Sequence, residues 1–148
     1  MAPVHEAARG NDVEELGRLL DENPGLIEAD GQGTPLYYAA VAGSVNAARL
    51  LLDRGADANK AGNLGWTPLL WACSNGYAEL ASLLLERGAD PTAFTRSNRT
   101  ALIYASSGYG NPRADYVAVT RLLLRDGRVP IDARDEEGST SLWWACYY

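Results

Sequence analysis

A chain of 148 residues that is 47% apolar and 22% charged can bury one hydrophobic core, and this composition excludes an intrinsically disordered or collagen-like polymer. No run approaches the roughly 20 apolar residues that a bilayer crossing needs, and the first residues lack the basic start and apolar stretch of a signal peptide, so we expect an intracellular protein with no membrane insertion. The net charge of −6 argues against a nucleic-acid partner, because such proteins need a basic stripe to neutralise phosphates.

The acidic charge is concentrated at the start of the chain. Residues 1–33 contain eight acidic and two basic side chains, whereas the remaining residues contain eleven of each. The terminal unit of a stacked protein exposes one face to water, so this charge is typical of a solubilising cap. A role for the same charge in partner binding stays open as the alternative.

Two motifs recur along the chain at a fixed separation. The first begins with threonine, and the second is a leucine triplet that leads to glycine. The first three copies of the threonine motif are 33 residues apart, a period typical of stacked helical units. The copies of the first motif are Thr34-Pro-Leu-Tyr-Tyr-Ala-Ala, Thr67-Pro-Leu-Leu-Trp-Ala-Cys, Thr100-Ala-Leu-Ile-Tyr-Ala-Ser and Thr140-Ser-Leu-Trp-Trp-Ala-Cys. The copies of the second are Leu50-Leu-Leu-Asp-Arg-Gly-Ala-Asp, Leu83-Leu-Leu-Glu-Arg-Gly-Ala-Asp and Leu122-Leu-Leu-Arg-Asp-Gly.

Each unit carries the start and stop signals of two short helices. Thr34 can cap a helix with its hydroxyl, and Pro35 occupies the first helical position, where a missing N–H costs nothing. The small residues that follow at helical spacing form a buried face, which lets neighbouring helices approach closely. Gly43 then permits a tight turn, and Gly55 ends the second helix in the left-handed conformation.

A 33-residue unit with these two motifs resembles the ankyrin repeat, and the resemblance covers essentially the whole chain. It implies an all-α solenoid of stacked helix-turn-helix units that form a single domain over residues 1–148. The expected boundaries are 2–33, 34–66, 67–99 and 100–139, followed by a partial fifth repeat at 140–148.

The fourth repeat departs from the period. Its threonine motifs are 40 residues apart, and alignment with the third repeat places an insertion at 107–115. The segment is rich in glycine, proline and polar residues, which is typical of a loop, and Asp115 can cap the helix that follows. A neutral insertion and a loop that sets partner specificity both stay open.

The chain lacks the residue sets that catalysis or metal binding requires. Its only histidine, His5, stands where the resemblance implies a motif histidine that braces the backbone of the stack. Cys73 and Cys146 occupy equivalent small-residue sites two repeats apart, at ~20 Å if helices pack 8–10 Å apart, which is too far for a disulfide. We expect both to be buried and inert, with no metal, no cofactor and no catalytic residue.

Aromatic residues recur at one position of the first helices. They predict a column of rings along the stack, and partly buried packing is a better interpretation of this column than a ligand cage. The residues are Tyr38, Trp71, Tyr104 and Trp144.

The resemblance implies that a protein partner contacts the turn tips between repeats and the exposed surface of the first helices. Trp66 and Arg99 each precede a capping threonine at such a tip, and both residue types are enriched at binding hot spots. We expect alanine at either position to weaken partner binding by ~1–3 kcal/mol and to leave the thermal melt nearly unchanged. The further candidate partner-binding residues are Leu64, Arg96, Ser74 and Asn75.

The last residues start a helix that nothing further along the sequence covers. Leu142, Ala145 and Cys146 are expected to pack back on repeat four, whereas the aromatic residues at positions 143, 144, 147 and 148 offer more apolar surface than one neighbour can hide. Two interpretations follow: a fragment of a longer repeat protein, or self-association through this C-terminal face.

The function that this sequence favours is a protein-protein interaction module, a scaffold or adaptor with no catalytic activity. The alternative is a regulatory or targeting segment of a larger enzyme. A third hypothesis, nucleic-acid binding, would require affinity to fall steeply with salt.

Overall fold

The computed structural model describes residues 2–108 and 115–147, and these residues form nine α-helices. Short 3₁₀ turns occur at Pro24–Glu28 and Asn63–Gly65. The helices are α1 (Pro3–Arg9), α2 (Val13–Glu22), α3 (Pro35–Ala42), α4 (Val45–Asp53), α5 (Pro68–Ser74), α6 (Ala78–Glu86), α7 (Ala101–Ser107), α8 (Tyr116–Asp126) and α9 (Ser141–Tyr147).

The helices form two layers. The inner helices α1, α3, α5, α7 and α9 pack in sequence order, each against the next, and the outer helices α2, α4, α6 and α8 do the same. Each inner helix from α1 to α7 also packs on the outer helix that follows it. A single helix pair buries little apolar surface, so the stability of this arrangement comes from the contacts between neighbouring pairs.

The predicted helix starts are confirmed. The hydroxyl oxygens of Thr34, Thr67 and Thr100 each accept a hydrogen bond from the backbone N–H three residues later, at 3.2, 3.3 and 3.4 Å. Gly43 ends α3 with a φ of 73°, and a Cβ at this position would lie 2.9 Å from the ring of Tyr77. Glycine is therefore required at this turn for conformation and for space.

Small residues fill the contact between inner helices. Ala39, Ala40, Ala72 and Cys73 are all fully buried, which confirms the predicted small face. Burial raises the pKa of the Cys73 thiol far above its usual value, so this cysteine stays protonated and inert.

We expect Ala72→Leu to lower the free energy of unfolding by about 1–3 kcal/mol, because added methylenes in a packed contact force neighbouring helices apart. Ala72 lies on α5, between α3 and α7. Circular-dichroism melts of this variant should be compared with those of Ala61→Leu, since Ala61 is exposed. Equal melts for the two variants would mean that the inner helices are not in close contact at Ala72.

The first repeat is braced as the resemblance implied. His5 is buried, and its Nε2 donates a hydrogen bond to the carbonyl oxygen of Ala29 at 2.9 Å.

Asp12 caps α2, because its carboxylate accepts a hydrogen bond from the N–H of Glu15. The acidic side chains Glu14, Asp21 and Glu22, among others of this repeat, are exposed.

The last repeat corrects one expectation. Cys146 is exposed, and so are Ala145 and Leu142, so none of them is buried against repeat four as expected. The reason is that, among the described residues, no outer helix follows α9 and covers it. Cys73 and Leu69 of α5 are the equivalents of Cys146 and Leu142, and they are buried because neighbouring helices cover them.

Most of the predicted insertion, residues 109–114, lies outside the described residues, as does Tyr148. The described end of the insertion behaves as predicted, because the Asp115 carboxylate accepts a hydrogen bond from the N–H of Ala118 and caps α8. Within the described ranges, every helix is too short or too polar to cross a bilayer.

Candidate partner-binding surface

Three turn tips project beside the inner helices, and we call them the fingers: residues 62–66, 95–99 and 135–139. Each is closed by a backbone hydrogen bond in which the N–H of its first residue reaches the carbonyl oxygen of its last. The bonds run from Gly62 to Trp66 at 2.9 Å, from Thr95 to Arg99 at 3.0 Å and from Asp135 to Ser139 at 3.0 Å.

The fingers are also joined to one another through the backbone. In each of these hydrogen bonds the N–H belongs to one finger and the carbonyl oxygen to the turn tip of the preceding repeat, so the fingers form a continuous row. A surface built on paired backbone is preorganised, which reduces the entropy lost on binding. The bonds run from Asn63 to Gln32 at 3.2 Å, from Arg96 to Leu64 at 3.0 Å and from Glu136 to Ser97 at 3.2 Å.

The first finger presents an apolar side chain to solvent. Leu64 is 55% exposed and has a φ of 59°, a region that costs a leucine free energy and that glycine usually occupies. Its carbonyl oxygen accepts the hydrogen bond from Arg96, whose side chain is also exposed. Leu64 and Arg96 are therefore adjacent, accessible and held by the row of fingers.

Trp66 packs against the core of the stack. Its ring stacks on Trp71 with the centroids 4.2 Å apart and the planes at 26°, and it packs on Tyr104 at 4.6 Å and 36°. Trp71 and Tyr104 belong to consecutive inner helices, so Trp66 fills the space between two repeats. Its half-buried ring still reaches the surface.

The aromatic row continues toward the start of the chain. Tyr37 meets Trp71 edge-on at 6.0 Å, and His5 lies 5.1 Å from Tyr38. A Cβ at Gly33 or at Gly62 would lie 2.5 Å from the ring of Tyr37. All four predicted column residues are partly buried, and the ring contacts along the row run through Tyr37 and Trp66.

Arg99 takes the place that Trp66 holds one repeat earlier. Its guanidinium lies over the ring of Trp144 at 4.6 Å and contacts Asp135 at 3.5 Å and Glu137 at 3.3 Å. The side chain is 28% exposed. Arg99 therefore joins the second finger to the third and to α9.

Asp135 anchors the third finger, and the sequence analysis did not single it out. Its buried carboxylate accepts hydrogen bonds from Trp144 Nε1 at 2.8 Å and from the N–H of Ser139 at 2.8 Å. Burial by itself would raise the pKa of Asp135, but these two donors and the nearby Arg99 outweigh it and lower the pKa from its ordinary value. Two features could have identified Asp135: it is the first residue of a turn tip, and a tryptophan N–H lies beside it.

The repeat architecture agrees with a comparison against protein families. The family described as ankyrin repeats in three copies matches residues 4–95 and 58–112, and the single ankyrin repeat matches residues 97–136. The chain belongs to the ankyrin-repeat family. The nine helices of the described ranges are those of an all-α ankyrin solenoid.

A similar segment occurs in Zygote-specific protein 3 of Chlamydomonas reinhardtii. The two chains are 42% identical over 57 residues, which is 38% of this chain and 15% of that protein. The chain therefore matches only a small part of that relative's length.

The six predicted contact residues do not form one patch on the ankyrin stack. Leu64, Trp66, Arg96 and Arg99 lie together at the fingers. Ser74 and Asn75 lie at the far end of α5, roughly 10 Å along a helix of this length. The Ser74 carbonyl oxygen accepts a hydrogen bond from the Tyr116 hydroxyl, and the Asn75 side chain donates to the carbonyl of Trp71. Ser74 therefore supports the junction of repeats three and four, whereas the Asn75 side chain bonds within its own repeat.

Proposed function

We propose that this ankyrin domain, over residues 1–148, binds another protein through the finger surface, which we define as the exposed parts of Leu64, Trp66, Arg96 and Arg99. The observation that carries the proposal is the adjacency of Leu64 and Arg96 on a preorganised row of fingers. An exposed apolar side chain beside a cation suits a partner segment that has an apolar anchor and a carboxylate. Ser74 and Asn75 are secondary candidates.

The proposed role is that of an intracellular scaffold or adaptor with no cofactor and no catalytic activity of its own. Ankyrin repeats are generally modules for protein-protein interaction, which supports this role. It holds equally for a domain that acts alone and for a domain within a longer protein.

We expect the double variant Leu64→Ala/Arg96→Ala to weaken partner binding by about 1–3 kcal/mol for each anchor that contacts the partner. Its melt should match that of the wild type, because both side chains are exposed and surface changes cost little stability. The measurement is isothermal titration calorimetry with a partner captured from the source cell.

The matched control is Arg9→Ala/Val13→Ala, which likewise removes one arginine and one branched aliphatic side chain, from exposed positions in the first repeat. This control should bind as tightly as the wild type. A finger variant that binds as tightly as the wild type would overturn the proposed surface.

A further inference from the structure

One side of α8 forms a groove with the end of α7 and with Ala145 of α9. It has a volume of about 780 Å³ and includes Val117, Leu124 and Ala145 among its lining residues. Val117 is 69% exposed and Leu124 is 48% exposed. Arg121 and Arg125 line the same groove.

The equivalent side of the preceding outer helix is covered. By the alignment of Tyr116 with Tyr77, the residues of α6 that correspond to Val117 and Thr120 are Ala78 and Ala81. Ala81 is fully buried, and α8 packs on α6. In the same way α6 packs on α4. The exposed side of α8 therefore has the geometry of a seat for one more helix.

Ion pairs join successive repeats along the outer helices at two positions, the first of which occurs twice and the second once. The acid near the end of one outer helix meets an arginine of the next repeat, with Asp21 2.7 Å from Arg54 and Asp53 2.6 Å from Arg87. At the second position the charges are reversed, and Arg49 lies 3.9 Å from Glu79.

The α8 helix carries arginine at both of these positions. Arg125 stands where Asp21 and Asp53 stand in earlier repeats, and Arg121 stands where Arg49 does. Both side chains are exposed, and neither makes an ion pair with any residue in 2–108 or 115–147. On the next repeat, the residues that pair with these two positions stand at 79 and 87, which are eight residues apart. A helix that covers α8 in the same register would form ion pairs with both arginines only if it carried an acid at each of those two positions.

We infer that the groove between α8 and α9 binds an acidic amphipathic helix of a partner protein. Two carboxylates eight residues apart would meet Arg121 and Arg125, and the apolar residues between them would cover Val117 and Leu124. This site is separate from the finger surface. A second copy of the chain that offered the same face would place arginine against arginine, which disfavours that occupant.

The test uses two stapled peptides that copy residues 77–88 of α6, each linked between positions 82 and 86. The acidic peptide carries Arg87→Glu and so has glutamate at 79 and 87. The basic peptide carries Glu79→Arg and so has arginine at both. Fluorescence anisotropy should show the acidic peptide binding in the micromolar range and the basic peptide about tenfold or more weaker, because two attractive charge pairs become repulsive.

The chain variant Arg121→Glu/Arg125→Glu should reverse this preference and bind the basic peptide more tightly. Its melt should be unchanged because both arginines are exposed, and Leu64→Ala/Arg96→Ala should bind the acidic peptide as the wild type does. Three results would each overturn the inference: no binding of the acidic peptide, equal binding of both peptides, or light scattering that shows self-association through this face.

Discussion

Asp135→Ala is expected to lower the free energy of unfolding by about 2–4 kcal/mol at neutral pH, because removing one partner of a buried charged network leaves the others unsatisfied. The change removes the acceptor for Trp144 Nε1 and for the N–H of Ser139, and it removes the carboxylate beside Arg99. Thermal melts followed by tryptophan fluorescence measure both the global loss and the local change around Trp144.

The effect should depend on pH in a defined direction. The pKa of Asp135 is lower in the folded chain than its ordinary value, so the stabilising contribution of the carboxylate is present in full above the unfolded pKa and is lost as the pH falls through the folded pKa. The melts of the wild type and of Asp135→Ala should therefore converge in strong acid. Asp135→Asn, which keeps one acceptor, should fall between them at neutral pH. A constant difference at all pH values would contradict the role of the carboxylate charge.

Trp66→Ala is expected to lower the free energy of unfolding by about 2–3 kcal/mol, less than for a fully buried tryptophan because the ring is half exposed. The loss comes from the two ring contacts, with Trp71 and with Tyr104. This result replaces the expectation of an unchanged melt. Circular-dichroism melts give the measurement.

The matched control for this change is Trp66→Phe, which keeps a ring between Trp71 and Tyr104 and should recover most of the loss. Leu64→Ala, two residues away and exposed, should leave the melt unchanged. If Trp66→Ala melted as the wild type does, the stacked arrangement of the three rings would be wrong.

The features that the sequence predicted well are local ones. A threonine hydroxyl caps an N–H three residues away, as at Thr34, and a left-handed glycine ends a turn within the same unit, as at Gly43. Because the same local signals recur at a fixed period, the stacking of the units also follows from them.

The packing of Trp66 and Arg99 was not predicted, because it depends on residues from two different repeats. The position before the capping threonine holds glycine, tryptophan, arginine and serine in turn, so no repeated residue type marks it as packed. The observable signal is the aromatic column, since a large side chain next to it can insert between consecutive rings.

The exposure of Cys146 was missed for a related reason. Equivalent positions in a repeat have equal surroundings only when the neighbours on both sides are equivalent. Leu142 is 72% exposed, whereas its equivalent Leu69 is 1% exposed, and the difference comes from the helices packed around α5. A repeated sequence pattern predicts the structure within each unit, but it does not predict which neighbours cover that unit in the stack.

The central claim is that a protein partner binds at the fingers, and hydrogen–deuterium exchange of the chain with and without its captured partner tests it most directly. We predict slower exchange on binding at residues 62–66 and 95–99, with the outer helices α2, α4 and α6 unchanged. Protection confined to those outer helices, with the finger amides exchanging as in the free chain, would contradict the claim.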